Sequence, residues 1–175
     1  MAKIEAERSA EMFEIAGIHR QAFMNALVSM GPDNLKTAAM RREWSTDNPT
    51  KNYCYVVTEW LKFYYFPDSP AFKLNVPGYD SFGTIEGAPV LHYFLVKEED
   101  GRELLPIQQC TVLDLAAEQF DNYDWVREHY HEGEYVKSFM FTPTKRAKLL
   151  QEYYMEELQQ LDTHLYAETF IRLNK

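Results

Sequence analysis

The chain is short of cysteine and glycine, carries no basic block, and nowhere strings together enough apolar residues to cross a bilayer. Each shortage removes a class of protein. Two cysteines, Cys54 and Cys110, are too few for a disulfide framework and lack zinc-ribbon spacing, so both are read as reduced thiols. Eighteen basic residues against 27 acidic ones leave a net charge of −9, which argues against nucleic acid as a partner. No run approaches the roughly 18 apolar residues of a membrane helix. The first residues, Met1 to Arg8, are charged where a secretory signal needs an apolar core. A soluble, cytoplasmic protein with no membrane partner is expected. Gly83, Gly87 and Gly101 form no phosphate loop, and without a nucleotide motif no cofactor is called for.

What the chain does have is rings. Hydrophobic residues are 46% of the sequence, and 12 tyrosines and 11 phenylalanines bring aromatics to 15%. That composition excludes disorder, and 175 residues suffice for one domain with its own core. Met12, Ile15, Ala16, His19, Phe23, Ala26, Leu27 and Met30 recur at steps of three and four, predicting an amphipathic helix from about Glu5 to Met30. Its face could pack on its own sheet or on a second copy of the chain, as a homodimer. Gly31-Pro32-Asp33-Asn34 stops it, and a short helix over 35–43 follows.

Asp47 to Tyr53 reads as a loop, and the apolar run from Cys54 through Trp60, Leu61, Phe63 and Tyr64 as a helix closed by Pro67. Cys54 therefore stands at a helix start, where unpaired N–H groups and the positive dipole end favour a thiolate and can hold an oxyanion. Strand signals follow at 72–76 and at Val90 to Val96, which contains His92. Alternation puts His92 with Val90, Phe94 and Val96, on the face expected to meet a helix. Pro77 to Asp80 reads as a turn and Asp100-Gly101 as a two-residue hairpin turn, returning through Glu103-Leu104-Leu105. Counting back pairs His92 with Gln109. Asp114 is read as the N-cap of a helix running to Phe120, and Pro143 as the first position of a final helix reaching Leu161, with the tail extending or following it. Helices, a mainly antiparallel sheet, then helices define an α+β domain.

Three segments arrive in an order that resembles one family. Trp44 and Asn48-Pro49 before Cys54, then His92-Tyr93-Phe94, then Asp114-Leu115 with Glu118-Gln119-Phe120, are similar to the pattern of the YunG-like proteins, as is the helix from Lys145-Arg146 to Leu150. The resemblance spans about residues 44–150. Residues 1–43 are then a helical N-terminal extension and 151–175 a C-terminal helical tail of the same single domain. The family's Asp-Leu-Thr is Asp114-Leu115-Ala116 here, and the stretch from Leu104 to Val112 is longer than the family's. The resemblance implies a papain-like arrangement, with a nucleophile-bearing helix packed on an antiparallel sheet that carries the histidine.

The candidate site is Cys54 as nucleophile and His92 as acid and base, with the ring oriented either by Asp114, as the resemblance implies, or by Gln109, as the hairpin register gives. Packing alone would also explain a cysteine and a histidine, and capping an aspartate. The Asn48 amide, six residues before Cys54, could help an oxyanion hole, where one donor contributes roughly 3 kcal/mol, but a turn role before Pro49 accounts for it better. Cys110, in a strand-like setting, reads as a buried thiol. His129-Tyr130-His131 lacks a third metal ligand and reads as a solvated acidic loop. The clusters Phe63 to Phe66 and Tyr153-Tyr154 read as core and partial surface, with a ring-lined groove for a peptide or flat ligand as the functional version. The expected function is hydrolysis or acyl transfer at an amide, isopeptide or thioester bond of an acyl or peptide substrate. The alternative is a non-catalytic binding protein on the same scaffold.

Overall fold

Helices on both sides of one sheet make up the computed structural model, which describes residues 11–77, 90–97, 107, 110–120, 123–137 and 142–174. The elements are β1 (Glu11–Met12), α1 (Gly17–Met30), α2 (Ala38–Glu43), α3 (Cys54–Tyr64), β2 (Ala71–Val76), β3 (Val90–Val96), β4 (Thr111–Leu113), α4 (Tyr123–His129), β5 (Glu134–Tyr135), α5 (Lys145–Leu161) and α6 (Thr163–Leu173). The strand order is β1-β4-β3-β2-β5. β1 runs parallel to β4 and every other pairing is antiparallel, so the class is α+β.

The N-terminal helix is shorter than its periodicity predicts. Glu11 and Met12 pair with Thr111 and Val112, and the Phe13 N–H continues the ladder to the Val112 carbonyl at 2.8 Å. Ala16 is extended and Gly17 has φ +54°, so the helical path begins only there. The free edge of β4 outcompetes helix formation for these backbone groups, while the predicted residues 5–10 lie outside the described ones. From Gly17 onward the reading holds: Phe23, Ala26, Leu27 and Met30 are buried. Their face is covered by α5 of the same chain. Gly31 (φ +57°) ends the helix, its N–H shared between the Leu27 and Val28 carbonyls. The next helix is confined to Ala38–Glu43, capped by the Thr37 side chain.

Seven residues of α3, Cys54, Val56, Val57, Thr58, Glu59, Trp60 and Leu61, are buried. A helix buried nearly all round belongs in the middle of a fold. α3 packs against α1 and α5 in one core, which also takes Ala71, Leu95 and Leu113 from one face of the sheet. Phe72, Leu74, Val76, Phe94 and Val96 point to the opposite face, where Ala117, Val126 and Tyr130 cover them.

The position of α3 follows from where β4 stops. The Val96 N–H bonds the Pro70 carbonyl beside β2, whereas the Lys97 N–H bonds Thr111 beside β4. Since bonding direction alternates along an antiparallel strand, Leu91 and Tyr93 turn their carbonyls away from β2. β4 reaches only as far as the Leu95–Leu113 pair. Beyond it α3 takes the place of a strand: Thr58 Oγ1 donates to the Tyr93 carbonyl at 2.8 Å, and Cys54 Sγ lies 3.8 Å from the Leu91 carbonyl oxygen.

α5 begins at Lys145, two residues later than a Pro143 start, and ends at Leu161, with α6 following as a separate helix. Thr144 Oγ1 accepts from the Ala147 N–H while donating to the buried Glu59 Oε2 at 2.6 Å; the Thr144 N–H donates to Glu59 Oε1 at 2.9 Å. Glu59 thus ties the start of α5 to α3. Phe66 stacks edge-on with Phe13, and Tyr65 and Tyr154 pack on Trp60, so these aromatic clusters are core and half-buried surface.

Candidate active site

Successive tight turns wind the loop before α3. The Asn48 N–H bonds Ser45, the Lys51 N–H bonds the Asn48 carbonyl, and the Tyr53 N–H bonds the Thr50 carbonyl. Asn52 sits at φ +65°, a left-handed conformation that asparagine tolerates better than most side chains. Tyr53, fully buried, donates to the Gly31 carbonyl at 2.6 Å and locks the loop to the end of α1. Cys54 is then the first residue of α3, where the loop-helix boundary was read in the sequence. It is 7% exposed.

His92 projects from β3 on the face of Phe94 and Val96. That face meets α4 and the turns around it rather than α3, and Cys54 approaches the ring past the strand edge. The ring is completely buried, edge-on to Phe120. Its Nε2 lies 2.5 Å from Asp114 Oδ2. The Cys54 side chain lies close enough to the ring to favour its charged form. Burial pulls the imidazole toward its neutral form, but the Asp114 charge and bond, together with Cys54, overcome it and raise the pKa to about 10. That balance favours the protonated ring.

Asp114 directly follows β4. It does not cap a helix: the predicted helix to Phe120 is a 3₁₀ turn, Ala117–Gln119, with Ala116 in the capping position. The carboxylate instead divides its oxygens. Oδ1 accepts from the Ala116 N–H at 3.0 Å, closing a local turn, and Oδ2 is left for His92. The hairpin register that nominated Gln109 as the other candidate does not hold. The hairpin count places Val96 opposite residue 105, whereas Val96 pairs with Val112 and His92 lies opposite Leu74 of β2. The segment before Thr111 is longer than a two-residue hairpin requires. Gln109 itself, the Pro77 to Asp80 turn beyond Pro77, and the Asp100-Gly101 turn lie outside the described residues.

Two residues join the site that the sequence reading did not assign to it. Gln119 is buried, with Nε2 3.3 Å from His92 Nδ1 and Oε1 accepting the Asn52 N–H at 3.0 Å. That acceptor bond turns the NH₂ end toward the ring. The amide N–H therefore faces Nδ1: a neutral ring accepts it there, and a protonated ring, which has only donors, leaves it free for another acceptor. The amide of Asn48 is engaged elsewhere, donating to the Gln119 carbonyl at 3.3 Å and accepting from Thr50 Oγ1 at 3.1 Å, as a turn residue would. Tyr130 corrects the reading of its segment as a solvated loop. His131 and Glu132 are exposed, but Tyr130 is buried against Phe94 and donates to Asp114 Oδ2 at 2.6 Å. Its position between two histidines in an acidic stretch masked the signal, because one inward ring in a short turn has no periodicity.

His129 stacks on Trp125, and among the described residues no group of three His, Cys, Asp or Glu side chains converges as a metal site. Cys110 is buried on the sheet face away from α3. No helix among the described residues is long and apolar enough to span a membrane.

Fold and site together define an α+β domain in which a helix-start cysteine faces a buried histidine–aspartate pair. No protein-family model, curated protein or solved structure matches the chain.

Proposed function

We propose that the protein is a Cys-His-Asp hydrolase or acyltransferase on a papain-like scaffold, acting on an amide, isopeptide or thioester bond, as the YunG-like resemblance suggests. The observation that carries this reading is the continuous buried contact from Cys54 through His92 to Asp114. Cys54 Sγ, as thiolate, attacks the acyl carbon, forming the S–C bond as the carbonyl π pair moves onto oxygen. The Cys54 backbone N–H at the helix start and the Gln119 amide N–H would serve as the donors to that oxyanion. Collapse expels the amine or thiol, which takes the proton of His92. The neutral ring then accepts a proton from water or from a second nucleophile, which attacks the acyl-enzyme and releases the product and the thiolate.

One observation favours a second reading. His92 has no exposed surface and Cys54 very little, which suits a non-catalytic binding protein that keeps the scaffold as packing. Iodoacetamide labelling of Cys54 between pH 4 and 10, in the native protein and in His92→Ala, separates the two. Rapid labelling already at pH 6 that is lost in the variant supports the enzyme. Slow labelling that rises only near the ordinary thiol range of about 8.5, unchanged in the variant, leaves the binding protein.

A further inference from the structure

Asp114 Oδ2 receives two donors: His92 Nε2 at 2.5 Å and the Tyr130 hydroxyl at 2.6 Å. Serving one carboxylate oxygen, the two share its charge. The hydroxyl is fixed by its own packing. Tyr130 is 1% exposed, lies edge-on to Phe94 with ring centres 4.8 Å apart, and starts the 3₁₀ turn that leads into β5. Gly133 permits this approach, because a Cβ there would come within 2.7 Å of the Phe94 ring and 3.0 Å of the Tyr130 carbonyl.

The reaction sets two opposed demands on His92. It must hold its proton while Cys54 is a thiolate, then give it up to the leaving group. A buried aspartate acting alone serves the first demand at the expense of the second, since its whole charge stabilises the imidazolium. We propose that Tyr130 is a positioning residue for the Cys54–His92–Asp114 site, which holds the Asp114 carboxylate and takes up part of its charge so that the imidazolium can release its proton. The inference rests on the hydrolase reading above and adds to it a fourth member acting through Asp114. Burial and the neighbouring Asp114 charge raise the Tyr130 hydroxyl well above its ordinary range, so it remains a donor whenever the site works. The charged and titratable groups acting on this unit are Cys54 from α3, Asp114 after β4, and Tyr123 and Arg127 from α4.

The test is the His92 ring titration followed by ¹⁵N NMR in the native protein and in Tyr130→Phe, with Cys54 labelling in parallel. Tyr130→Phe keeps the ring packing and removes only the donor. The full Asp114 charge then falls on His92, and its midpoint is expected to rise by about half a pH unit or more. The alkaline limit of rapid Cys54 labelling should rise with it. A midpoint unchanged in a folded Tyr130→Phe, with Cys54 still reactive in the native protein, overturns this inference and leaves the hydrolase reading standing. A Cys54 that is inert in the native protein overturns both. Should Tyr130→Phe not fold, the native Tyr130 hydroxyl proton decides. Its resonance should move over the pH range in which His92 titrates, and indifference to that titration overturns the coupling.

Discussion

His92 Nε2 and Asp114 Oδ2 meet at 2.5 Å with side chains 0% and 1% exposed, so neither charge is screened by water. Breaking such a pair from one side costs about 3 kcal/mol or more, because the remaining group has no water to turn to. Asp114→Asn should therefore lower the urea midpoint. Burial, now opposed only by Cys54, should drive His92 toward its neutral form at pH 7, and Cys54 labelling at pH 6 should slow by at least about tenfold. Native-like labelling in this variant would show that Asp114 has no part in the site.

Stability should fall on the alkaline side. The His92 pKa is 6.5 in an unfolded chain and about 10 in the folded one, so the folded state holds the proton more tightly. That contribution is complete below pH 6.5 and is lost as pH rises toward 10. Urea unfolding of the native protein should show a decline on the order of a few kcal/mol across this window. In Asp114→Asn the slope should flatten. A slope equal in both proteins would place its origin elsewhere.

Gln119→Ala removes the acceptor of the Asn52 N–H and leaves a backbone donor beside Cys54 without its partner. The expected loss is about 1–3 kcal/mol. Gln119→Glu retains an acceptor for Asn52 and should recover most of that loss, but it offers no N–H to an oxyanion. Turnover of an acyl substrate should then stay impaired in both variants while stability separates them.

Glu59→Ala deprives two donors of Thr144, its N–H and its hydroxyl, of their acceptors. Because Glu59 joins α3 to the cap of α5, the loss should be roughly 2–4 kcal/mol. Amide exchange should quicken first in the opening turn of α5, ahead of the sheet.

Gly133→Ala should cost about 1–3 kcal/mol through overpacking, although its backbone conformation is open to any residue. The obstacle is Phe94, a ring with no exposed surface and little freedom to yield. Thermal unfolding measures it directly, and a neutral substitution would mean that Phe94 can move.

The amino-acid sequence by itself determined the elements whose signals are local. The Gly31 stop, the helix start at Cys54 and the strand Val90–Val96 rest on periodicity, breakers and backbone preference acting within a few residues, and they stand where those signals place them. Cys54 was legible for the same reason, as a thiol at a helix start, and His92 as a titratable residue within a strong strand signal, whereas Asp114 was nominated by the order of motifs in the family resemblance. Tertiary structure decided the rest. β1 and β4 are strands of two and three residues, too short to carry a pattern; β4 forms on the edge that β3 offers and β1 on the edge that β4 offers. Where β4 ends determines which carbonyls of β3 are left for Thr58 and Cys54, and hence how a cysteine on a helix reaches a histidine on the sheet. Gln119 and Tyr130 converge on the site across 67 and 16 residues of chain, through bonds to Asn52 and Asp114. A hydrogen bond between such distant residues leaves no spacing to read, because its partners are brought together only when the core closes around them.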